Sequence, residues 1–361
     1  MFGNGQRKAA KRRARVARGL DRVYAATPAE QVELGTLRMV VLSDHHRGAR
    51  DGADDFRRCE RAYNAALAHY LESGHRLLLL GDAEELWECH ARDVIASYPR
   101  TYALEAEFAR ARRYQRVWGN HDDEWSSPKH VEAHQSSLGG AGAEVHEAVR
   151  LEVLHDGTPL GQLFLAHGHQ GTDGSDRFKW LSRVIVRRVW RPLQRRLRIP
   201  STTPATDWDL RESHDEAMFA WARSTPDRCV LIAGHTHRPV FGVGRRAPVL
   251  SRPLHELEPE FRDACRNGAS PERLAQLRAE IEFGHAEERR HDHPPIEVVP
   301  PCYFNTGCCS FGDGDITGLE IAEGEIRLVR WPDRAGRPLP LILERVALDE
   351  VLDEVNRRPA R

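Results

Sequence analysis

Five short apolar runs constrain this chain more than any other feature. VVLS, LLLL, RVW, LFLA and VLIA lead into Asp44-His45-His46, Gly81-Asp82, Gly119-Asn120-His121-Asp122, His167-Gly168-His169 and Gly234-His235-Thr236-His237. A short apolar run bounded by glycine and polar residues reads as a buried strand. In open α/β sheets, ligands bind in the crevice beyond the carboxyl ends of the strands. Five such runs therefore deliver Asp, His and Asn side chains to one rim. Carboxylate, imidazole and amide oxygen form a mixed N/O set suited to a divalent transition metal. Glycines let the backbone turn sharply and approach closely there. Each cluster alone is a weak signal, since Gly-Asp is usually a turn and His-x-His is often a surface accident. The signal lies in their order, each after a strand.

The elements between these clusters define the architecture. RMVVLSD (38–44) is followed by a helix over 54–72 with Phe56, Cys59, Tyr63, Leu67, Tyr70 and Leu71 on one face. RLLLLGD (76–82) leads into a helix with Glu84 and Glu85 in its first turn, then a helix over 101–114 and the strand QRVWGNHD (115–122). This alternation predicts right-handed βαβ units and a largely parallel sheet. After Gly142 the strands 149–155 and 161–166 have no helix between them, so an antiparallel region is expected. Further strands are expected at 229–234, 302–306, 316–321, 325–331 and 340–346. Two stacked sheets flanked by helices fit this order. The domain map is a basic N-terminal arm (1–34), a body (35–350) and a C-terminal tail (351–361). The body carries a helical cap inserted at about 173–226 and a second insertion at about 242–300.

Charge is distributed unevenly. Residues 1–22 hold eight Lys/Arg and one acid, and residues 177–198 hold nine and none; the remainder carries 36 basic against 53 acidic residues. Two basic segments on an acidic body each invite an anionic partner. The arm also has a plainer reading as a solvated, frayed terminus. In the cap, Phe178, Leu181, Ile185, Val189, Leu193 and Leu197 form an apolar seam beside Trp180 and Trp190. Arg183, Arg187, Arg188, Arg191, Arg195 and Arg196 cover the rest. Such a helix reads either as an anionic-membrane or anionic-ligand surface, or as a lid packed on the acidic body. Nucleic acid is the weaker reading, because no stacking aromatics accompany the arm. Seven cysteines without metal-type spacing, and no apolar h-region after the basic start, point to a reducing cytoplasm. Peripheral contact with the inner membrane face is the accompanying expectation.

The order Asp-x-His, Gly-Asp, Gly-Asn-His-Asp, a single His and Gly-His-x-His resembles the calcineurin-like metallophosphoesterase superfamily over roughly residues 38–331. The resemblance implies a four-layer α/β/β/α sandwich with two divalent metals, Mn, Fe or Zn, at the top of the sheets. Carried over residue by residue, it assigns Asp44, His46, Asp82 and His237 to one metal. Asp82 bridges to the second, which takes Asn120, His167 and His235. His121 stands by the leaving group and Asp122 holds His121. The chemistry is coherent without the family. Two metals about 3.5–4 Å apart clamp the attacking and leaving oxygens of an in-line displacement at phosphorus, and a bridging hydroxide is the nucleophile. His121 can protonate the departing oxygen if a neighbour fixes its tautomer.

Other residues near the motifs divide between readings. His45 should point away by alternation, and His167 is preferred to His169 because it directly follows LFLA. Arg47 is either a guanidinium gripping phosphate or a solvated loop arginine. Glu84 and Glu85 either support Asp82 or favour a helix N-terminus. Asn305-Thr306-Gly307 resembles the Asn-x-Gly segment that closes many family sites, so Asn305 joins Arg47 as a substrate-binding candidate. Cys308 and Cys309 read as buried. Gly-Asp continues as Ala83-Glu84-Glu85-Leu86-Trp87, unlike the Asp-Arg-Gly block of the Ser/Thr protein phosphatases. With Gly234-His235-Thr236-His237-Arg238-Pro239, this is closer to the UDP-2,3-diacylglucosamine pyrophosphatase branch, although that branch usually has His-Gly-Asp where this chain has His167-Gly168-His169. The expected activity is hydrolysis of a phosphate ester, monoester or phosphodiester, or of a pyrophosphate. The substrate would be nucleotide-linked or lipid-linked. The alternative is a catalytically weak protein of this fold acting as a scaffold or an anionic-membrane binding module.

Overall fold

A computed structural model of the protein describes residues 2–52, 54–134, 144–171, 208–225, 229–241, 254–268, 302–333 and 338–357, with single residues between them. The expected cap therefore lies outside the described residues up to position 207, including Arg187, Arg188 and Arg191. The chain divides into two compact units, Met1–Gly242 with Pro300–Arg361, and Val243–Val299. The second contains the helix Leu254–Arg266.

The first unit holds thirteen described strands: β1 (Ala29–Glu33), β2 (Met39–Leu42), β3 (Arg76–Leu80), β4 (Tyr114–Val117), β5 (Glu144–His146), β6 (Ala148–His155), β7 (Thr158–Ala166), β8 (Cys229–Ala233), β9 (Pro239–Val240), β10 (Tyr303–Thr306), β11 (Ile316–Ala322), β12 (Glu325–Trp331) and β13 (Leu341–Ala347). They form a seven-stranded sheet ordered β13-β12-β11-β2-β3-β4-β5 and a six-stranded sheet ordered β1-β6-β7-β8-β10-β9. Strands β2 to β5 run parallel, as the alternating helices require. Val40, Leu42, Leu77 and Leu79 pack beneath the helices Phe56–Glu72 and Pro99–Arg110 through Phe56, Cys59, Tyr63, Leu67, Tyr70 and Phe108. The expected α/β fold of two sheets flanked by helices is present.

Several expectations change. After Gly142, β6 and β7 pair antiparallel as expected, and so do β9–β10, β11–β12 and β12–β13, but β1–β6, β7–β8 and β8–β10 are parallel. Consequently the carboxyl ends of β7, β8 and β10 share one edge. Glu84 and Glu85 do not open a helix, and the next helix begins at Ala91. Their stretch is bound to neighbouring loops instead, with Glu85 N–H donating to Arg47 O at 2.9 Å and Leu86 N–H to His121 O at 3.1 Å.

The basic arm, whose plainer reading is a solvated terminus, contains the helix Phe2–Ala26, with Val16, Leu20 and Val23 buried. Their i, i+4, i+7 spacing makes a stripe inside the basic run. The helix packs on the helix Trp208–Ser224, which covers the end of the segment expected as a cap. Trp221 donates to Asp21 at 2.7 Å, and Arg13 pairs with Glu216 at 2.9 Å. The expected tail also folds back, as the helix Leu348–Asn356 with Leu348, Val351, Leu352 and Val355 buried. Among the described residues, no helix is long and apolar enough to cross a membrane.

Candidate metal centre

The loops after β2, β3, β4, β7 and β8 converge, and their backbones adopt an uncommon conformation to do so. Asp44, His46, Asp82, His235 and His237 all have positive φ, between 49° and 68°. They are five of the nine such non-glycine residues among those described. Left-handed backbone at a non-glycine residue costs on the order of 1–3 kcal/mol and persists where the surroundings enforce it. Its concentration at the candidate ligands marks a site. Two motif glycines are required by close approach. A Cβ at Gly81 would run into the ring of His167, and one at Gly119 into the Asp82 carboxylate.

The ligand atoms form three overlapping groups: Asp44, His46 and His237; His46, Asp82 and His121; and Asp82, His167 and His235. Asp82 and His46 each belong to two groups. Asp82 Oδ2 lies 3.1 Å from His167 Nε2 and 3.9 Å from His46 Nε2, while its Oδ1 accepts the His121 N–H at 2.8 Å. Asp44 Oδ1 lies 3.2 Å from His237 Nε2. The Nε2 atoms of His46 and His237 face each other at 3.0 Å. His167 Nδ1–H donates to Leu80 O at 2.8 Å, which leaves the Nε2 lone pair aimed inward.

This donor set fits divalent cations. Asn120 Oδ1 and His167 Nε2 are buried without a hydrogen-bond partner, although such atoms are normally satisfied. The burial of His235 pushes its imidazole well below its ordinary range, so it presents a neutral lone pair. Burial would raise the Asp82 carboxyl, but the facing His167 and His121 hold it well below the usual carboxylate range.

His121 stands as close to His46 and Asp82 as the ligands do. Its ring is held by Glu85, whose carboxylate accepts from His121 Nδ1 at 2.8 Å and also meets the Nδ1 of the candidate ligand His46 at 3.0 Å. Burial would lower the His121 pKa; Glu85 and Asp82 outweigh it and lift it to about 9. Trp87 stacks on the His121 ring with centroids 4.4 Å apart, and its Nε1–H donates to Asn120 O at 2.6 Å.

Asp122 does not take the place expected of it. Its carboxylate turns back to accept N–H groups of Ala83 at 2.8 Å and Gly119 at 2.6 Å, and pairs with Arg116 at 2.9 Å. It ties the β3 and β4 loops together, and Glu85 orients His121 instead. Arg47 is also corrected. It is fully buried, paired with Glu105, hydrogen-bonded to Tyr63 at 3.1 Å and centred 5.2 Å from the Phe56 ring, so it grips the core rather than phosphate. Asn305 donates to Gly234 O at 2.7 Å and accepts from Gly307 N at 3.0 Å. These bonds hold the β8 loop and leave Asn305 a positioning residue rather than a substrate contact. His45 points away, against Phe56 and Tyr63. His169 lies outside the three groups, beside Trp118.

Glu84 and Arg116, both fully buried, form an ion pair beneath these loops, with Tyr102 donating to Glu84 at 2.6 Å and Trp125 at 2.9 Å. Removing one partner of a buried pair leaves an uncompensated charge. Arg116→Met is therefore expected to lower unfolding free energy by about 3–5 kcal/mol, read from denaturant midpoints. A change below about 1 kcal/mol would mean that the pair is solvated in solution. Arg116, Trp87 and the orienting role of Glu85 were not legible from motif order, because their partners lie on other loops.

No curated protein matches the sequence. Solved structures that align with it include a single mutant of Vps29 from Entamoeba histolytica, at 15% identity over 86% of this chain and 98% of that one, TM-score 0.31. A dimetal phosphatase from Danio rerio aligns at 12% identity over 86% of this chain and 100% of that one, TM-score 0.37. Residues 37–239, which carry all five motifs and more than half of the chain, match the calcineurin-like phosphoesterase family. By that match the chain belongs to the calcineurin-like phosphoesterase family.

Proposed function

We propose that this protein hydrolyses a phosphate ester or pyrophosphate with two divalent cations. The observation that carries the reading is the chain of overlapping donor groups, with Asp82 common to two of them. Asp44, His46, Asp82 and His237 would hold one cation, and Asp82, Asn120, His167 and His235 the other. Bound there, the cations would neutralise phosphate charge and supply Lewis acidity and an activated water.

The chain's own residues supply the remainder. Glu85 accepts the Nδ1 proton of His121, so Nε2 is the edge that can serve a departing oxygen. Trp87 and Glu85 together fix that ring, which limits the reorientation needed before proton transfer.

A nucleotide-linked lipid is the substrate class favoured by sequence. The supporting features are Glu85 and Trp87 after Gly81-Asp82, the Gly234–Pro239 motif, and nine basic residues without an acid over 177–198. Replacing Arg187, Arg188 and Arg191 with Ser is expected to weaken turnover of such a substrate or binding to anionic vesicles. Hydrolysis of a small aryl phosphate should stay near the parental rate. Equal behaviour of parent and variant on vesicles and all substrates would remove the amphiphile reading.

The central test measures metal content and hydrolysis of an aryl phosphodiester together. Two ions per chain are expected, with activity lost on chelation and restored by Mn, Fe or Zn. Two bound ions without hydrolysis of any aryl mono- or diester, nucleotide or nucleotide-linked lipid would favour the scaffold reading.

A further inference from the structure

We infer that His214, on the helix Trp208–Ser224, is a positioning residue for the cation half-site formed by Asp82, His167 and His235, and that its neighbour Asp215 holds the β8 loop that serves both half-sites. The inference rests on the two-cation reading above and extends it to residues outside every motif.

Both side chains are buried, at 5% and 7% exposure, where polar groups persist only with partners. Each holds a different ligand loop. His214 Nε2–H donates to Gly168 O at 2.6 Å, and Gly168 directly follows the ligand His167. The His214 ring also packs edge-on against His235, with centroids 5.1 Å apart. Asp215 Oδ1 accepts from Thr236 Oγ1 at 2.9 Å, and Thr236 lies between His235 and His237. The same oxygen accepts from Tyr303 OH at 2.8 Å. The two loops are joined directly as well, by Gly234 N–H donating to His167 O at 3.0 Å.

One helical turn thus clamps the β7 loop and the β8 loop at a fixed separation. The helix is itself braced from behind by the N-terminal helix, through Trp221 to Asp21 and Arg13 to Glu216. Asp44 and His46 come from the β2 loop, which is bonded to the β3 and β8 loops, to Thr306 and to residues 309–310. They do not involve His214. The half-sites share the β8 loop, which carries both His235 and His237, but the His214 contacts fall on Gly168 and His235, so His214 should bear on one ion more than on the other.

The test is calorimetric titration of Mn²⁺ into the metal-stripped full chain, for the parent, His214→Leu and His214→Gln. Leu keeps bulk but lacks the N–H; Gln retains a donor for Gly168 O. Partners of ligand loops typically contribute about 10–100-fold to metal affinity. His214→Leu should bind one ion as the parent does and the other about 10–100-fold more weakly, and His214→Gln should recover much of the difference. A thermal midpoint of the metal-free variants close to the parent's would show that the loss is not global unfolding. Parental affinity for both ions in His214→Leu, or equal weakening of both without rescue by Gln, would overturn the inference while leaving the two-cation reading intact. A parent that binds no ion would overturn both.

Discussion

Asp82→Asn is expected to abolish hydrolysis and reduce bound metal below two ions per chain while leaving the fold in place. The side chain is 1% exposed, and its two oxygens have separate tasks. Oδ1 accepts the His121 N–H at 2.8 Å, a bond that the Asn carbonyl oxygen can keep, so the β4 loop should hold its course. Oδ2 faces His167 Nε2 at 3.1 Å and His46 Nε2 at 3.9 Å, and there Asn would present an amide without charge. One carboxylate serving two cations has no neutral substitute. Lewis-acid stabilisation is worth several kcal/mol, so a loss of at least about 10³-fold in turnover is the expected scale. Metal analysis beside kcat decides the matter. Parental activity with two ions bound would remove Asp82 from the shared position.

The motif residues were legible because they sit at the ends of buried strands. β2, β3, β7 and β8 are each nearly all apolar toward their carboxyl ends, and the polar residue that follows is carried to the rim by topology alone. What could not be read was anything decided by a partner distant in sequence. Adjacency suggested that Asp122 held His121, yet its carboxylate is drawn to the backbone N–H groups of Gly119 and Ala83. The orienting carboxylate arrives from the β3 loop as Glu85. Adjacency to His46 likewise suggested phosphate for Arg47, but its side chain points inward, where Glu105 and three aromatic rings receive it. In the N-terminal helix, eight cations within 22 residues hid the Val16, Leu20, Val23 stripe. Net charge describes the exposed face of such a helix, and three apolar positions are enough to dock the other.

Parallel pairing of β7 with β8 was missed for a related reason. Absence of a helix between β6 and β7 correctly marks a hairpin, but it says nothing about the strand that follows a long insertion. The parallel pairing matters for the site, because it turns His167 and His235 toward the same edge. A doubly antiparallel arrangement would have sent those two residues to opposite ends of the sheet.

The second large effect is expected at His121 and Glu85, which act on one proton. His121→Ala should retain both ions, because neither proposed ligand set requires this ring. Proton transfer by a positioned side chain contributes typically about 10²–10⁴-fold, so turnover of esters with poor leaving groups should fall by that order. Aryl esters with good leaving groups need little protonation and should fall far less. Glu85→Gln separates orientation from charge. Its amide oxygen can still accept from Nδ1, but one of the two negative charges that lift His121 to about 9 is gone, with Asp82 remaining. A group acting as an acid loses activity as pH rises through its pKa. Removing the charge should therefore move the alkaline limb of the pH–rate profile to lower pH, toward the ordinary imidazole range near 6.5. The shift should be visible with poor leaving groups and nearly absent with good ones. An alkaline limb that stayed in place in Glu85→Gln, or equal losses on both substrate classes in His121→Ala, would take the proton-donor role away from His121 and leave it a group that stabilises charge at the phosphate.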